Sequence, residues 1–105
     1  MPSLMIRLYG IVQGVGFRPF VSRAADQLGV LGTVANKGSY VEVFAQADSD
    51  TLQRFVHILK NDTPERAIVI SADVKEIPDT DFKSFEIIES EKEAGDIFVP
   101  STRRS

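Results

Sequence analysis

Residues 12–20 read V-Q-G-V-G-F-R-P-F, and this stretch decides how the chain folds. An apolar alternation of period two precedes it, and apolar residues at helical spacing follow it. The pattern predicts that a strand ends, a short loop turns the chain, and a helix begins with Arg18 at its start. Pro19 suits the first helical position because the N–H that it lacks would have no partner there, so we expect the helix to begin at Arg18 or Pro19.

The loop residues have the chemistry of an anion site. Gly14 and Gly16 permit positive φ, which lets successive backbone N–H groups converge, and they have no side chain to keep an anion away. Arg18 adds a forked, permanent charge beside a helix N-terminus, a combination that suits a phosphoryl group. On glycine spacing alone, an ordinary glycine-rich turn with a solvated arginine explains the stretch as well, and that alternative stays open at this point.

Length and composition indicate one globular domain, because 105 residues with 43% hydrophobic and 26% charged residues can bury a single core. The chain has no cysteine and one histidine, which argues against disulfides, thiolate catalysis and a metal site, and we expect no cofactor. A net charge of −3 argues against a nucleic-acid surface. No targeting signal and no run approaching ~18 apolar residues is visible, so we expect a cytoplasmic protein that binds neither nucleic acid nor membrane.

Strand and helix patterns alternate along the rest of the chain. They predict strands at 4–12, 31–36, 40–46, 67–77 and 82–88, and helices at 18–28 and from a cap at Asp48 or Ser49 to about 61. The order β-α-β-β-α-β plus a terminal strand is that of a ferredoxin-like α+β sandwich, in which two helices pack on one face of a mostly antiparallel sheet.

Residues 1–90 are expected to form this domain. Residues 91–105 begin acidic and weakly apolar, which predicts a linker, a docking tail or the end of a cut fragment rather than core. The acidic run from Glu86 to Asp96 favours a solvated face over a cation site.

Two motifs on this fold resemble those of the acylphosphatase family. The stretch V-Q-G-V-G-F-R at 12–18 lies on the first βα loop, like that family's signature, and G-T-V-A-N at 32–36 ends the second strand with an asparagine where the family keeps one. Asn36 alone would be read as a turn residue. Two motifs at the correct separation are far more specific than either one.

A finer resemblance is to the N-terminal acylphosphatase-like domain of the HypF family of carbamoyltransferases, which help to mature nickel–iron hydrogenases. It rests on R-P-F-V at 18–21 and N-K-G-S-Y-V-E-V at 36–43. Tyr40 departs from that pattern, in which a small glycine is commoner. The resemblance implies that the other domains of the maturation protein are partners of this one.

The resemblance implies hydrolysis of an acyl phosphate, with carbamoyl phosphate as the expected substrate of the maturation protein. A carboxylate or carbamate leaves readily, so phosphoryl transfer needs mainly positioning and charge stabilisation. Arg18 and Asn36 are the expected catalytic residues, Arg18 holding the phosphoryl group and Asn36 orienting the attacking water. The loop N–H groups that would also hold phosphoryl oxygens belong to Gln13, Gly14, Val15, Gly16 and Phe17.

Two other functions stay open. A module that binds carbamoyl phosphate and delivers product to the other domains would need the same loop and the same arginine. Ferredoxin-like sheets also bind single-stranded RNA, and Tyr9 with Phe44 could stack bases, although the acidic charge opposes this.

Overall fold

The computed structural model of the chain describes residues 2–88. These residues form seven elements: β1 (Ser3–Ile11), α1 (Phe17–Leu28), β2 (Leu31–Asn36), β3 (Val41–Gln46), α2 (Ser49–Asn61), β4 (Ile68–Ile77) and β5 (Phe85–Ile88). The predicted order of strands and helices is therefore confirmed. The predicted tail at 91–105 lies outside the described residues.

One five-stranded sheet carries both helices on one face, with strand order β4-β1-β3-β2-β5. β1 pairs antiparallel with β3 and β4, and β2 pairs antiparallel with β3. The added strand β5 pairs parallel with β2, which makes the sheet mixed but mostly antiparallel. This is the predicted ferredoxin-like sandwich with an additional C-terminal strand.

The core lies between the helices and one face of the sheet. Alternate residues of the central strands point into it, as period two requires, and each helix contributes one apolar stripe. Its largest fully buried members are Phe55, Ile6, Leu8, Leu59, Val21, Val30, Val34, Val41 and Val43. Neither of the helices within residues 2–88 is long and apolar enough to span a membrane.

α1 begins one residue earlier than expected, at Phe17, with Gly16 as its N-cap. Pro19 is therefore the third helical residue and not the first or second. The first turn tolerates it there because none of the first N–H groups of a helix has a partner within the helix. The predicted end at Leu28 is confirmed, and Gly29 caps it with a left-handed φ of 72°.

β4 does not keep the single apolar face that its sequence suggests. The register shifts between Tyr9 and Gly10 of β1, so that Tyr9 pairs with Ser71 but Gly10 pairs with Val69, and Ile70 has no paired residue. Such a bulge interrupts the alternation. As a result Ile68 and Ile70 are 53% and 77% exposed, while Val69 packs against the core.

The cap of α2 generates a prediction on stability. The Asp48 side chain accepts a hydrogen bond from the Thr51 backbone N–H at 2.8 Å. Asp48→Ala is expected to lower the melting temperature by a few degrees because this N–H loses its acceptor, whereas Asp48→Asn, which can still cap, is expected to keep most of the stability.

The same hydrogen bond lowers the pKa of Asp48 below its ordinary value of 3.8. A lowered folded-state pKa stabilises the fold fully above the unfolded-state pKa, and the contribution is lost as pH falls through the folded-state pKa. The gap in melting temperature between the parent and Asp48→Ala should therefore narrow as the pH falls through 3.8 and below it. A gap that stays constant over this range, measured by thermal unfolding, would contradict the role of the charged cap.

Candidate active site

The loop between β1 and α1 is fixed at both of its ends. Val12 before it and Phe17 after it are each 2% exposed and belong to the core. Val15, in the middle, packs against the same core, and the Phe17 ring lies 5.5 Å from that of Phe20. Residues 13–16 therefore connect two buried residues, Val12 and Phe17, and this limits how far their backbone can move.

Two glycines give this loop its shape. Gly14 and Gly16 have φ of 69° and 74°, in the left-handed region that L side chains rarely adopt. A Cβ built on either residue would have no atom of the described chain within 4 Å. The space in front of both glycines is therefore open to a ligand.

The loop and the start of α1 present donors without acceptors. No backbone N–H of residues 13–18 donates a hydrogen bond to another residue within 2–88. The N-cap of α1, Gly16, has no side chain to accept one, and the first turn contains no acidic residue. α2 differs, because Asp48 caps it and Asp50 lies in its first turn. An anion at the α1 end would supply the acceptors that α2 obtains from its own side chains.

Arg18 is the second residue of α1 and is half-buried. Among residues 2–88 its guanidinium has no carboxylate partner and makes no side-chain hydrogen bond. A permanent positive charge therefore stands at the positive end of the helix dipole without a protein counter-ion, which favours an external anion there.

Asn36 ends β2 at the same edge of the sheet as the loop. β1 and β2 both run antiparallel to β3, so their C-terminal ends point the same way, and Leu8 and Asn36 are both paired with Val41. The Asn36 Oδ1 accepts a hydrogen bond from the Gly38 N–H at 2.9 Å. This bond fixes the side-chain amide within the turn and leaves both Nδ2 hydrogens without an acceptor among the described residues.

A direct contact joins the loop to the β2–β3 hairpin. Gln13 Nε2 donates to the Tyr40 carbonyl at 3.3 Å, and the Lys37 N–H donates to the same carbonyl at 2.9 Å. The side chain of Gln13 thus turns toward the hairpin, and its backbone N–H is the group left for an anion. The predicted loop residues and Arg18 thus form one segment, and a hydrogen bond from Gln13 to Tyr40 joins this segment to the hairpin that carries Asn36.

Sequence reasoning missed a polar cluster on the sheet face that has no helices. Arg7 Nε lies 3.3 Å from Glu42 Oε2, and the Lys37 Nζ lies 4.0 Å from Glu42 Oε1. Tyr40, above all, raises the pKa of Arg7, and Glu42 adds to the effect. The alternating pattern indicates that Arg7 and Glu42 face away from the core, but only the register of β1 against β3 makes them partners.

Other features of the described chain lie apart from this loop. His57 is exposed on α2, where its carbonyl accepts a hydrogen bond from Asn61 Nδ2. An apolar groove of about 360 Å³ runs between α2 and the start of β1, and no predicted site residue lines it. Within residues 2–88, no three His, Cys, Asp or Glu side chains gather as a metal site would require.

Comparison with known proteins agrees with this geometry. The acylphosphatase family model matches residues 4–87. The probable carbamoyltransferase HypF of Methanocaldococcus jannaschii is 41% identical over 90 residues, which cover 85% of this chain and 12% of that protein. The chain thus spans about one eighth of the length of that relative.

Solved structures give the same result. The crystal structure of acylphosphatase from Bacillus subtilis superimposes with a TM-score of 0.80 at 34% identity, over 84% of this chain and 99% of that one. Full-length HypF in its phosphate- and nucleotide-bound form superimposes with a TM-score of 0.81 at 28% identity, over 86% of this chain and 12% of that one. The predicted resemblance to acylphosphatases and to the HypF domain is confirmed, and the match to acylphosphatases supports the prediction of an acylphosphatase-type hydrolase. From its fold, its loop and these matches, the chain belongs to the acylphosphatase family.

Proposed function

We propose that this chain hydrolyses acyl phosphates by attack of water on phosphorus, at the loop that precedes α1. The observation that carries the proposal is the set of backbone N–H groups at residues 13–18, which have no acceptor within residues 2–88 and stand beside an unpaired Arg18. Family membership supports it, since the B. subtilis acylphosphatase is matched over nearly its whole length.

The phosphoryl oxygens would be held by backbone and guanidinium donors together. The N–H groups of the loop from Gln13 to Phe17 can point at one anion, and Arg18 can donate to two oxygens at once. These donors are in place before substrate arrives, because the buried Val12 and Phe17 hold the loop. Charge on the phosphoryl oxygens is then stabilised in the transition state with little rearrangement.

Asn36 would orient the attacking water. Its Oδ1 is fixed by the Gly38 N–H, and its Nδ2 can donate to the water oxygen. The water oxygen forms a bond to phosphorus while the bond from phosphorus to the acyl oxygen breaks, and the water proton passes to solvent. The products are inorganic phosphate and a carboxylate or carbamate, which needs no strong general acid to leave.

We further propose carbamoyl phosphate as the substrate. The support is the similarity to HypF carbamoyltransferases, of which this chain corresponds to about one eighth. In that setting residues 1–90 would form the acylphosphatase-like domain, and the other domains of a maturation protein would be its partners.

A second candidate function follows from the same comparison. A domain that makes up 12% of a larger carbamoyltransferase could bind carbamoyl phosphate and deliver product to its other domains without fast turnover of its own. Both functions use the same loop, and they differ only in whether the isolated chain releases phosphate.

One prediction of the proposed function concerns Arg18. Arg18→Ala is expected to cost about 3 to 4 kcal/mol of transition-state stabilisation, a loss of roughly 10²- to 10³-fold in kcat/KM, because the forked charge on the phosphoryl group is gone. Phosphate release from carbamoyl phosphate and from an aromatic acyl phosphate measures this effect. Arg23→Ala is the matched control, since Arg23 is exposed on the same helix.

The outcomes of this experiment separate the two functions. Arg18→Ala that hydrolyses as fast as the parent would contradict the assignment of Arg18. If the parent protein binds inorganic phosphate through Arg18 but releases no phosphate from either substrate, the delivery module is the correct function and the hydrolase is not.

The second prediction uses the two glycines that cap α1. Gly16 and Gly29 have φ of 74° and 72°, and a Cβ on either meets no atom within 4 Å, so an alanine costs similar strain at both ends. Only Gly16→Ala places a methyl group where the anion would sit. We expect it to weaken inorganic phosphate binding about tenfold, the worth of one charge-assisted hydrogen bond, and Gly29→Ala to leave binding unchanged.

Isothermal titration with inorganic phosphate, together with thermal unfolding of both variants, measures this difference. Equal weakening of binding by the two alanines would show that the effect comes from helix strain and would contradict an anion site at Gly16.

A further inference from the structure

Tyr40 stands where the two halves of the site meet. Its carbonyl oxygen accepts hydrogen bonds from Gln13 Nε2 at 3.3 Å and from the Lys37 N–H at 2.9 Å. Gln13 belongs to the loop before α1, and Lys37 follows Asn36 in the hairpin turn. One backbone oxygen thus bonds the phosphoryl loop and the turn that carries Asn36.

The Tyr40 ring packs against side chains of β1. The ring is half-buried and lies 5.4 Å from the ring of Tyr9 on β1, tilted by 41°. On the same sheet face the guanidinium carbon of Arg7 lies 5.2 Å from the centre of the Tyr40 ring. Ring stacking and the cation–π contact both tie Tyr40, the residue before β3, to the central strand β1.

Arg7 is itself held in place from the hairpin side. Its Nε donates to Glu42 Oε2 at 3.3 Å, and the Glu42 side chain is only 11% exposed. The other Glu42 oxygen lies 4.0 Å from Lys37 Nζ. The contacts therefore run in a closed path from Lys37 through Glu42 and Arg7 to Tyr40, and back through the Tyr40 carbonyl to Lys37. A closed path of contacts restricts each member more than a single pair would.

We propose that Tyr40 is a positioning residue that holds Asn36 at a fixed place relative to the phosphoryl loop. It does not touch the substrate; it acts through Gln13 on one side and the hairpin turn on the other. This inference rests on the proposed function, because the geometry it sets matters for a water that Asn36 directs at phosphorus. A small displacement of the attacking group is enough to slow such a reaction by ten- to a hundredfold, in order of magnitude.

The kinetic test compares three variants of the whole chain. Tyr40→Leu removes the ring and is expected to lower kcat for an aromatic acyl phosphate by about tenfold, while KM and inhibition by inorganic phosphate stay within about twofold. Tyr40→Phe keeps the ring and is expected to restore most of kcat. Phe44→Leu is the matched control, since Phe44 is also a half-buried aromatic residue, lies on β3 on the same sheet face as Tyr40, and is further from the loop.

A double-variant cycle tests the path through Gln13. Gln13→Ala breaks the same link from the loop side, so combining it with Tyr40→Leu should lower kcat little further than either change alone. Effects that multiply would mean that the two residues act independently and would overturn the proposal. So would a Tyr40→Leu that raises KM and the phosphate inhibition constant in step with the loss of kcat, because that pattern reports a damaged phosphoryl site.

A second measurement is independent of catalysis. In amide NMR spectra without substrate, Tyr40→Leu and Gln13→Ala should each shift the signals of Gly14 and Gly16 in the loop and of Gly38 in the turn, whereas Phe44→Leu should leave all three in place. If Tyr40→Leu shifts the Gly38 signal but leaves those of Gly14 and Gly16 in place, the proposal is wrong. A parent chain that hydrolyses no acyl phosphate would contradict the proposed function alone, because the NMR result still decides whether Tyr40 couples the two segments.

Discussion

The backbone N–H groups at the start of α1 have no acceptor among the described residues, and the proposed site is built around them. A helix N-terminus needs acceptors. α2 obtains one from its N-cap Asp48, whereas α1 has a glycine as its N-cap and has no side-chain acceptor among the described residues. The two left-handed glycines keep the approach open, and Arg18 adds charge at the same place. The start of α1 therefore carries free N–H donors and a positive charge that no carboxylate among the described residues balances, even though the net charge of the chain is −3.

The rest of the fold holds the loop before α1 in place and brings Asn36 to the same edge of the sheet. Val12 and Phe17 are buried in the core and hold the two ends of the loop. Because β1 and β2 run in the same direction, Asn36 ends β2 at the edge of the sheet where the loop lies. The hydrogen bond from Gln13 to the Tyr40 carbonyl joins the loop to the hairpin. The reaction proposed here needs little more than this, because an acyl phosphate already carries a good leaving group.

The sequence predicts the fold well because the fold follows from local pattern, whereas the roles of the site residues stay predictions. Period-two runs, helical spacing and the two glycines place β1, the loop and α1 to within a residue, and the asparagine at the end of β2 is readable as a motif. Long-range register is not readable in this way. The pairing of Arg7 with Glu42, the bulge that exposes Ile70, and the hydrogen bond from Gln13 to Tyr40 all depend on how distant strands align, and no local signal encodes them.

In the proposed reaction, the loop stabilises charge at phosphorus while water attacks there. Hydrolysis of an aromatic acyl phosphate in water labelled with heavy oxygen, with a metal chelator present, tests this mechanism. After subtraction of the uncatalysed reaction, we expect the label in inorganic phosphate and a rate that the chelator leaves unchanged. Label in the carboxylate product would mean that water attacks the acyl carbon, and it would contradict a site built to hold the phosphoryl group in its transition state.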